Sequence, residues 1–163
     1  MQHEILISVG SNIQREHHTR EARLALEQAF DNVACSSVYE SEAVGFDGDA
    51  FYNLVVRAQT SQPLPAVCRI LKDIEARNGR HHGDKKFCNR TLDLDLLTFN
   101  DVVTDDPVVL PRDEILYNAF VLQPLAELVP DNVHPVEGKS YATLWQQFDK
   151  STQRLRPIAF TWS

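Results

Sequence analysis

Apolar and polar positions alternate along the chain in two distinct rhythms. Residues 4 to 10, EILISVG, form a short, mostly apolar run that reads as a first strand, ended by the turn-favouring Gly10, Ser11 and Asn12. From about Glu16 to Phe30 the spacing becomes helical, with Ala22, Leu24, Leu26, Ala29 and Phe30 on one face. CSSVYES at 35 to 41 is short, β-prone and half polar, which suits an exposed second strand. A glycine- and acid-containing loop at 43 to 50 separates it from FYNLVVRAQT, a third strand at 51 to 60. Leu64, Val67, Cys68, Ile70, Leu71 and Ile74 then recur at helical spacing, with Pro63 before them and Gly79 after.

Residues 79 to 89, GRHHGDKKFCN, fit neither rhythm and read as a basic loop, after which NRTLDLDLLTF at 89 to 99 predicts a fourth strand. Downstream, DVVTDDPVVLP reads as a turn and short strand, and ILYNAFVLQPLAELVP as a helix that Pro124 disturbs or starts. A further helix at 141 to 148 and a strand at 156 to 161 complete the chain. The order strand, helix, strand, strand, helix, strand is that of the ferredoxin-like split arrangement, so the expected class is α+β, one sheet flanked by helices.

Composition narrows the possibilities without changing that outline. The 163 residues suit one domain, 1–163, and 43% hydrophobic with 24% charged residues is ordinary for a globular chain. The longest apolar run falls short of the ~20 residues a bilayer requires, so no membrane association is expected. MQHEILISVG has neither a basic leader nor a small-residue cleavage site, and Cys35, Cys68 and Cys88 form neither an even set nor a CxxC pair. A reducing cytoplasm is the expected location. A net charge of -7 argues against a nucleic-acid partner, because phosphate neutralisation supplies most of that affinity.

Against this acidic background, the fourth strand raises a question of chemistry. Strand alternation sends Leu92, Leu94 and Leu96 to the core and Asp93 and Asp95 together to the opposite face, about 6.5 to 7 Å apart along the chain. Like charges so placed repel unless water or a cation neutralises them. A solvated strand face is one reading. A divalent cation is the other, and magnesium suits two carboxylates because it keeps waters and bridges to phosphates. Arg80, His81, His82, Lys85, Lys86 and Arg90 lie just upstream and suit anionic oxygens, so metal and cations together point to phosphoryl transfer. A Walker-type GxxxxGK[ST] sequence is absent from the chain.

GRHHGDKKFCNRTLDLDLL, with Glu75 before it and SVGSN and FYN upstream, resembles the 6-hydroxymethyl-7,8-dihydropterin pyrophosphokinase family over about residues 4 to 148. The run R-x-L-D-L-D is the most specific part of the likeness. The resemblance implies a ferredoxin-like α/β/α sandwich, with a mainly antiparallel sheet and helices on both faces. It implies a magnesium-dependent pyrophosphokinase of folate biosynthesis, which transfers pyrophosphate from ATP to the pterin hydroxymethyl group and releases AMP. Asp93 and Asp95 would then hold two Mg²⁺ ions, with Arg80, His82, Arg90 and Asp95 as the catalytic set and Asp95 also helping to deprotonate the hydroxyl. Glu75, Arg80, His82, Arg90 and Arg112 would contact ATP, and Ser41, Glu42, Val44, Phe51, Asn53 and Phe120 the pterin.

The chain departs from the family pattern at several positions. The family usually has histidine where Arg112 stands and arginine where Asn118 stands, and Phe87 and Asn89 replace residues usual in its loop. These departures motivate a second expectation, a pterin- or nucleotide-binding homologue that lacks turnover or has altered specificity. A third, a metal-dependent phosphodiesterase, would use the same two carboxylates. In every case the expected partners are small molecules and the expected state is a monomer.

Overall fold

The computed structural model describes residues 2–41, 50–79, 92–150 and 155–162. Its elements run β1 (His3–Ser11), α1 (Arg15–Ala29), β2 (Asp31–Cys35), β3 (Val38–Ser41), β4 (Phe51–Thr60), α2 (Leu64–Arg77), β5 (Asp93–Phe99), a 3-10 turn (Asp113–Leu116), α3 (Ala119–Leu128), α4 (Tyr141–Gln147) and β6 (Leu155–Ile158). The strands form one sheet in the order β5-β1-β4-β3-β6, with β2 also on β4, and all named pairings are antiparallel. This is the expected α+β architecture, the ferredoxin-like order with an extra strand at the edge.

Alternation along the central strands builds two cores. Ile5, Ile7 and Val9 of β1, with Leu54, Val56 and Ala58 of β4 and Leu94 and Leu96 of β5, pack against Ala22 and Leu26 of α1 and Val67, Leu71 and Ile74 of α2. On the other face Leu6, Val55 and Leu97 meet Ile115, Val121, Leu122, Leu125 and Tyr141. Helices therefore cover both sides, and each buried aliphatic side chain contributes about 1.5–3 kcal/mol of transfer free energy.

Several local expectations are corrected. Strand β1 continues through Gly10 and Ser11, both paired to neighbouring strands, although these residue types favour turns. Leu24, assigned to the apolar face of the first helix, is 53% exposed, and His18 and Thr19 are buried instead. The expected second strand at 35–41 is confined to β3 (Val38–Ser41), and a separate strand that was not expected, β2 (Asp31–Cys35), precedes it on the same edge of β4. Ser36 mends the break: its N–H donates to Val55 O at 2.9 Å, and its Oγ accepts from Val55 N at 2.9 Å, where a ladder carbonyl would have served.

Residues 101–111 contribute an isolated bridge, Thr104 to Leu110, in place of a short strand, since Pro107 and Pro111 cannot donate to a ladder. The helix expected over 115–130 is confined to α3 behind the 3-10 turn, and Pro124 lies inside α3 among its buried residues. The last strand spans Leu155–Ile158, earlier than the expected 156–161.

One irregularity bears on the site. Ile5 pairs with Phe99 and Leu6 with Thr98, but Ile7 pairs with Leu96, so Leu97 is an extra residue in β5. This is a β-bulge, a device that re-aims side chains near functional sites.

Candidate active site

Two rows of residues cross the sheet on the face that carries α3. In the first, Asp93 of β5 pairs with Gly10 of β1, Gly10 with Asn53 of β4, and Asn53 with Tyr39 of β3. In the second, Asp95 pairs with Ser8 and Ser8 with Val55. Paired residues share a face, so the two carboxylates lie on the same side of the sheet as Asn53, with only a glycine between Asp93 and Asn53. A Cβ at Gly10 would lie 3.2 Å from Asn53 Oδ1 and 3.8 Å from Phe51 Cδ1. Glycine here is needed for close approach, a role its sequence context as a turn former concealed.

The surroundings of the carboxylates come from two directions. Below the sheet edge, Glu75 of α2 accepts a 2.7 Å hydrogen bond from Leu94 N, which satisfies an outward amide of the edge strand. From the downstream segment, Arg112 N donates to the carbonyl of the bulged Leu97 at 2.9 Å, which pins Arg112 beside β5. Arg112 Nη2 then lies 3.5 Å from Asp95 Oδ1. Its firmer partner is Glu114, whose Oε1 accepts from Nε at 2.9 Å and from Nη2 at 2.7 Å. Asn118 Nδ2 donates to the other oxygen of Glu114 at 2.7 Å.

Among the described residues, the charges that act on Asp95 are those of three carboxylates and one arginine, Arg112. Burial and then the neighbouring Asp93 charge push the Asp95 carboxyl up to about 7, with Glu114 and Glu75 adding to the rise and Arg112 opposing it. A carboxyl that holds its proton to neutrality marks a place where a cation would be stabilised. Among the described residues no group of three or more His, Cys, Asp and Glu side chains is arranged to enclose an ion. Two carboxylates with the remaining ligands left to water and phosphate is nevertheless the donor set that suits magnesium, so these residues fit it.

Of the other expected site residues, Phe51 lies on β4 two positions before Asn53, and Asn53 is 5% exposed. Phe120 sits at the start of α3 and packs on the second core. Strand β3 is held to α3 through Glu127, which accepts from Tyr39 OH and from Ser37 N and Oγ. Ser41 ends β3, paired with Phe51 on one side and Leu155 on the other. Glu42, Val44, Arg80, His82 and Arg90 lie outside the described residues. Gly10, Glu114 and Leu97 were not expected at the site. The signal for Glu114 was available in sequence, since a carboxylate two residues after Arg112 and four before Asn118 can reach both.

A profile of the 7,8-dihydro-6-hydroxymethylpterin-pyrophosphokinase (HPPK) family matches residues 6–130. The chain belongs to this family. Relatives named 2-amino-4-hydroxy-6-hydroxymethyldihydropteridine pyrophosphokinase include one from Synechocystis sp., 34% identical over 151 residues, which are 90% of this chain and 77% of that protein. Another from Bacillus subtilis is 35% identical over 127 residues, 75% of each chain. The HPPK-DHPS crystal structures of Plasmodium falciparum share the fold: one superposes with a TM-score of 0.73 at 13% identity, over 90% of this chain and 45% of that one. Those proteins therefore carry more than the HPPK unit, and this chain spans under half their length. The HPPK match ends at residue 130, so α4 and β6 lie beyond it.

Proposed function

We propose that the chain is a 6-hydroxymethyl-7,8-dihydropterin pyrophosphokinase of folate biosynthesis. It moves the terminal pyrophosphate of ATP to the pterin hydroxymethyl oxygen. The observation that carries this reading is the row Asp93–Gly10–Asn53, which sets a carboxylate pair beside an amide and aromatic rings on one face. In a family named for this transfer, those are the groups it needs: charge to hold polyphosphate, and a flat polar-edged slot for a heterocycle.

In this reading Asp93 and Asp95 would hold two magnesium ions, which when bound would supply charge neutralisation for the phosphates. Arg80, His82, Arg90 and Arg112 hold phosphate oxygens, and Glu75 stands beside the nucleotide. Ser41, Glu42 and Val44 line the pterin site, where Phe51 and Phe120 flank the ring and Asn53 donates to and accepts from its edge. The hydroxyl oxygen bonds to the β-phosphorus while the bond from that phosphorus to the α–β bridging oxygen breaks. AMP leaves with that oxygen, and Asp95 accepts the hydroxyl proton. Residues 1–163 act as one domain, a reading supported by two cores built on one sheet, and the protein works as a cytoplasmic monomer on small-molecule substrates. No helix among the described residues is long and apolar enough to cross a membrane.

The test is direct. Incubation with ATP, magnesium and 6-hydroxymethyl-7,8-dihydropterin should release one AMP per pterin diphosphate formed, and EDTA should stop it. No AMP above a protein-free control refutes the reading. A second reading, a pterin or nucleotide binder without turnover, draws support from Asn118, which uses its amide on Glu114. Calorimetry that shows pterin binding in a preparation without AMP release would favour it.

A further inference from the structure

Arg112 is held at both its backbone and its guanidinium before any ligand arrives. Its backbone N–H is bonded to Leu97 O, its Nε and Nη2 both donate to Glu114 Oε1, and Glu114 Oε2 is in turn held by Asn118 Nδ2. Asn118 stands at the N-cap of α3 but makes no side-chain cap bond there, so its amide serves Glu114 instead of the helix. The lengths are graded: Arg112 Nη2 is 2.7 Å from Glu114 and 3.5 Å from Asp95. The guanidinium is thus firmly bound to a carboxylate outside the metal pair and only loosely engaged with the one inside it.

That grading has a physical use. A free arginine side chain samples many rotamers, and a carboxylate that takes two of its N–H groups removes most of that freedom in advance. An arginine closed fully on Asp95 would compete with a cation for the same oxygens, whereas one held by Glu114 leaves them accessible. Nη1 makes no hydrogen bond among the described residues, so one arm of the fork remains for a phosphate oxygen.

We propose that Glu114 is a positioning residue that aims the Arg112 guanidinium at the polyphosphate beside Asp95, with Asn118 fixing the Glu114 carboxylate. The inference rests on the pyrophosphokinase reading of the site. The competing explanation is that Glu114 and Asn118 only tie the 3-10 turn to α3, which the backbone bond from Asn118 N to Glu114 O at 2.9 Å already does.

The experiment is a double-mutant cycle of the full chain with Glu114→Gln, Arg112→Lys and the pair. It is read by calorimetric affinity for magnesium α,β-methylene-ATP, by AMP release and by melting temperature. Bare Coulomb reasoning says that removing a carboxylate near a phosphate site tightens anion binding. Positioning predicts the opposite: Glu114→Gln weakens analogue binding roughly 10-fold, the scale of one charge-assisted hydrogen bond, with melting unchanged. The double variant should then bind no worse than Arg112→Lys alone, because Glu114 acts through Arg112. Wild-type affinity in Glu114→Gln, full additivity in the double variant, or no analogue binding by the wild-type chain would each overturn the proposal. Analogue binding without AMP release would instead count against the pyrophosphokinase reading, while the calorimetric cycle still decides the role of Glu114.

Discussion

Two ionic clusters sit on the same sheet and are built on opposite principles. At the β5 end, Asp93, Asp95 and Glu114 act on Arg112, and Glu75 adds its charge to Asp95. At the β3–β6 edge, the single carboxylate Glu40 takes Arg15 Nη2 at 2.9 Å and Arg156 Nη2 at 2.8 Å. Arg15 goes further, donating Nη1 to Ala50 O at 2.8 Å and lying 4.0 Å over the Tyr52 ring. The carboxyls respond in opposite directions. Asp95 is pushed up by burial and its like-charged neighbour, whereas the hydrogen bond from Arg156, then the arginine charges, pull Glu40 down against its desolvation. A saturated cluster works as a joint that closes two chain segments on each other. A cluster in which carboxylates outnumber cations among the described residues is one that a ligand cation can balance.

The largest effect should follow from emptying the unbalanced cluster. Asp95→Ala should lower AMP release at least about 100-fold, the scale of one lost charge-stabilising group, while the circular dichroism spectrum is retained. Near-normal turnover would remove Asp95 from the mechanism. Without metal, the same site should be a liability that a change to asparagine relieves. The Asp95 carboxyl titrates at about 7 in the folded chain against an ordinary 3.8, so the folded state keeps a proton that the unfolded state has lost between those values. Its contribution to stability is therefore greatest below pH 4 and is lost as pH rises to about 7. In EDTA, Asp95→Asn should melt higher than wild type by an amount that grows over that window and levels off above it, on the order of 1–2 kcal/mol after solvent screening. A constant gap across pH would show that the strain lies elsewhere.

Smaller effects should follow from breaking the balanced cluster, and with the opposite pH signature. Glu40 titrates below its ordinary 4.5, so its stabilisation is fully present above that value and is lost as pH falls through the folded value. Glu40→Gln should cost about 1 kcal/mol at neutral pH, and melting curves of the two chains should converge in acid. The smallest change is expected from Arg156→Ala. That side chain is 75% exposed, so its loss should cost a few tenths of a kcal/mol and less still in high salt.

The sheet and its helices were legible because strand and helix periods are strong where one face is buried. Val67, Leu71 and Ile74 are buried on α2 at the spacing that announced them, and Leu92, Leu94 and Leu96 are buried as alternation required. The split of β2 from β3 was not legible, because it depends on the Ser36 hydroxyl replacing a backbone acceptor across the sheet. Leu24 was misplaced because, in a helix of 15 residues on an outer layer, His18 and Thr19 can be covered while a leucine is left outside.

At the site, Asp93 and Asp95 announced themselves through a chemical mismatch with their strand. Gly10 did not, since its purpose is to leave room for Asn53, a partner 43 positions away in the chain. The link from Arg112 to Leu97 was hidden for the same reason: it is a backbone bond that no side-chain pattern encodes.

The extra residue at Leu97 makes β5 a strand with a phase slip. Before it, leucines and aspartates alternate in one phase. After it, Phe99 returns to the same core as Leu94 and Leu96 although it lies an odd number of positions from both. Removing Leu97 would bring Phe99 into plain alternation with Leu94 and Leu96, but it would take away the carbonyl that accepts from Arg112 N and a side chain of the second core; removing a residue between Asp93 and Leu96 would turn the aspartates and leucines that precede the deletion to the wrong faces. The strand should therefore accept exchanges of side chain far more readily than any change of length, and a chimera or loop graft built on this chain needs its junctions outside 93–99.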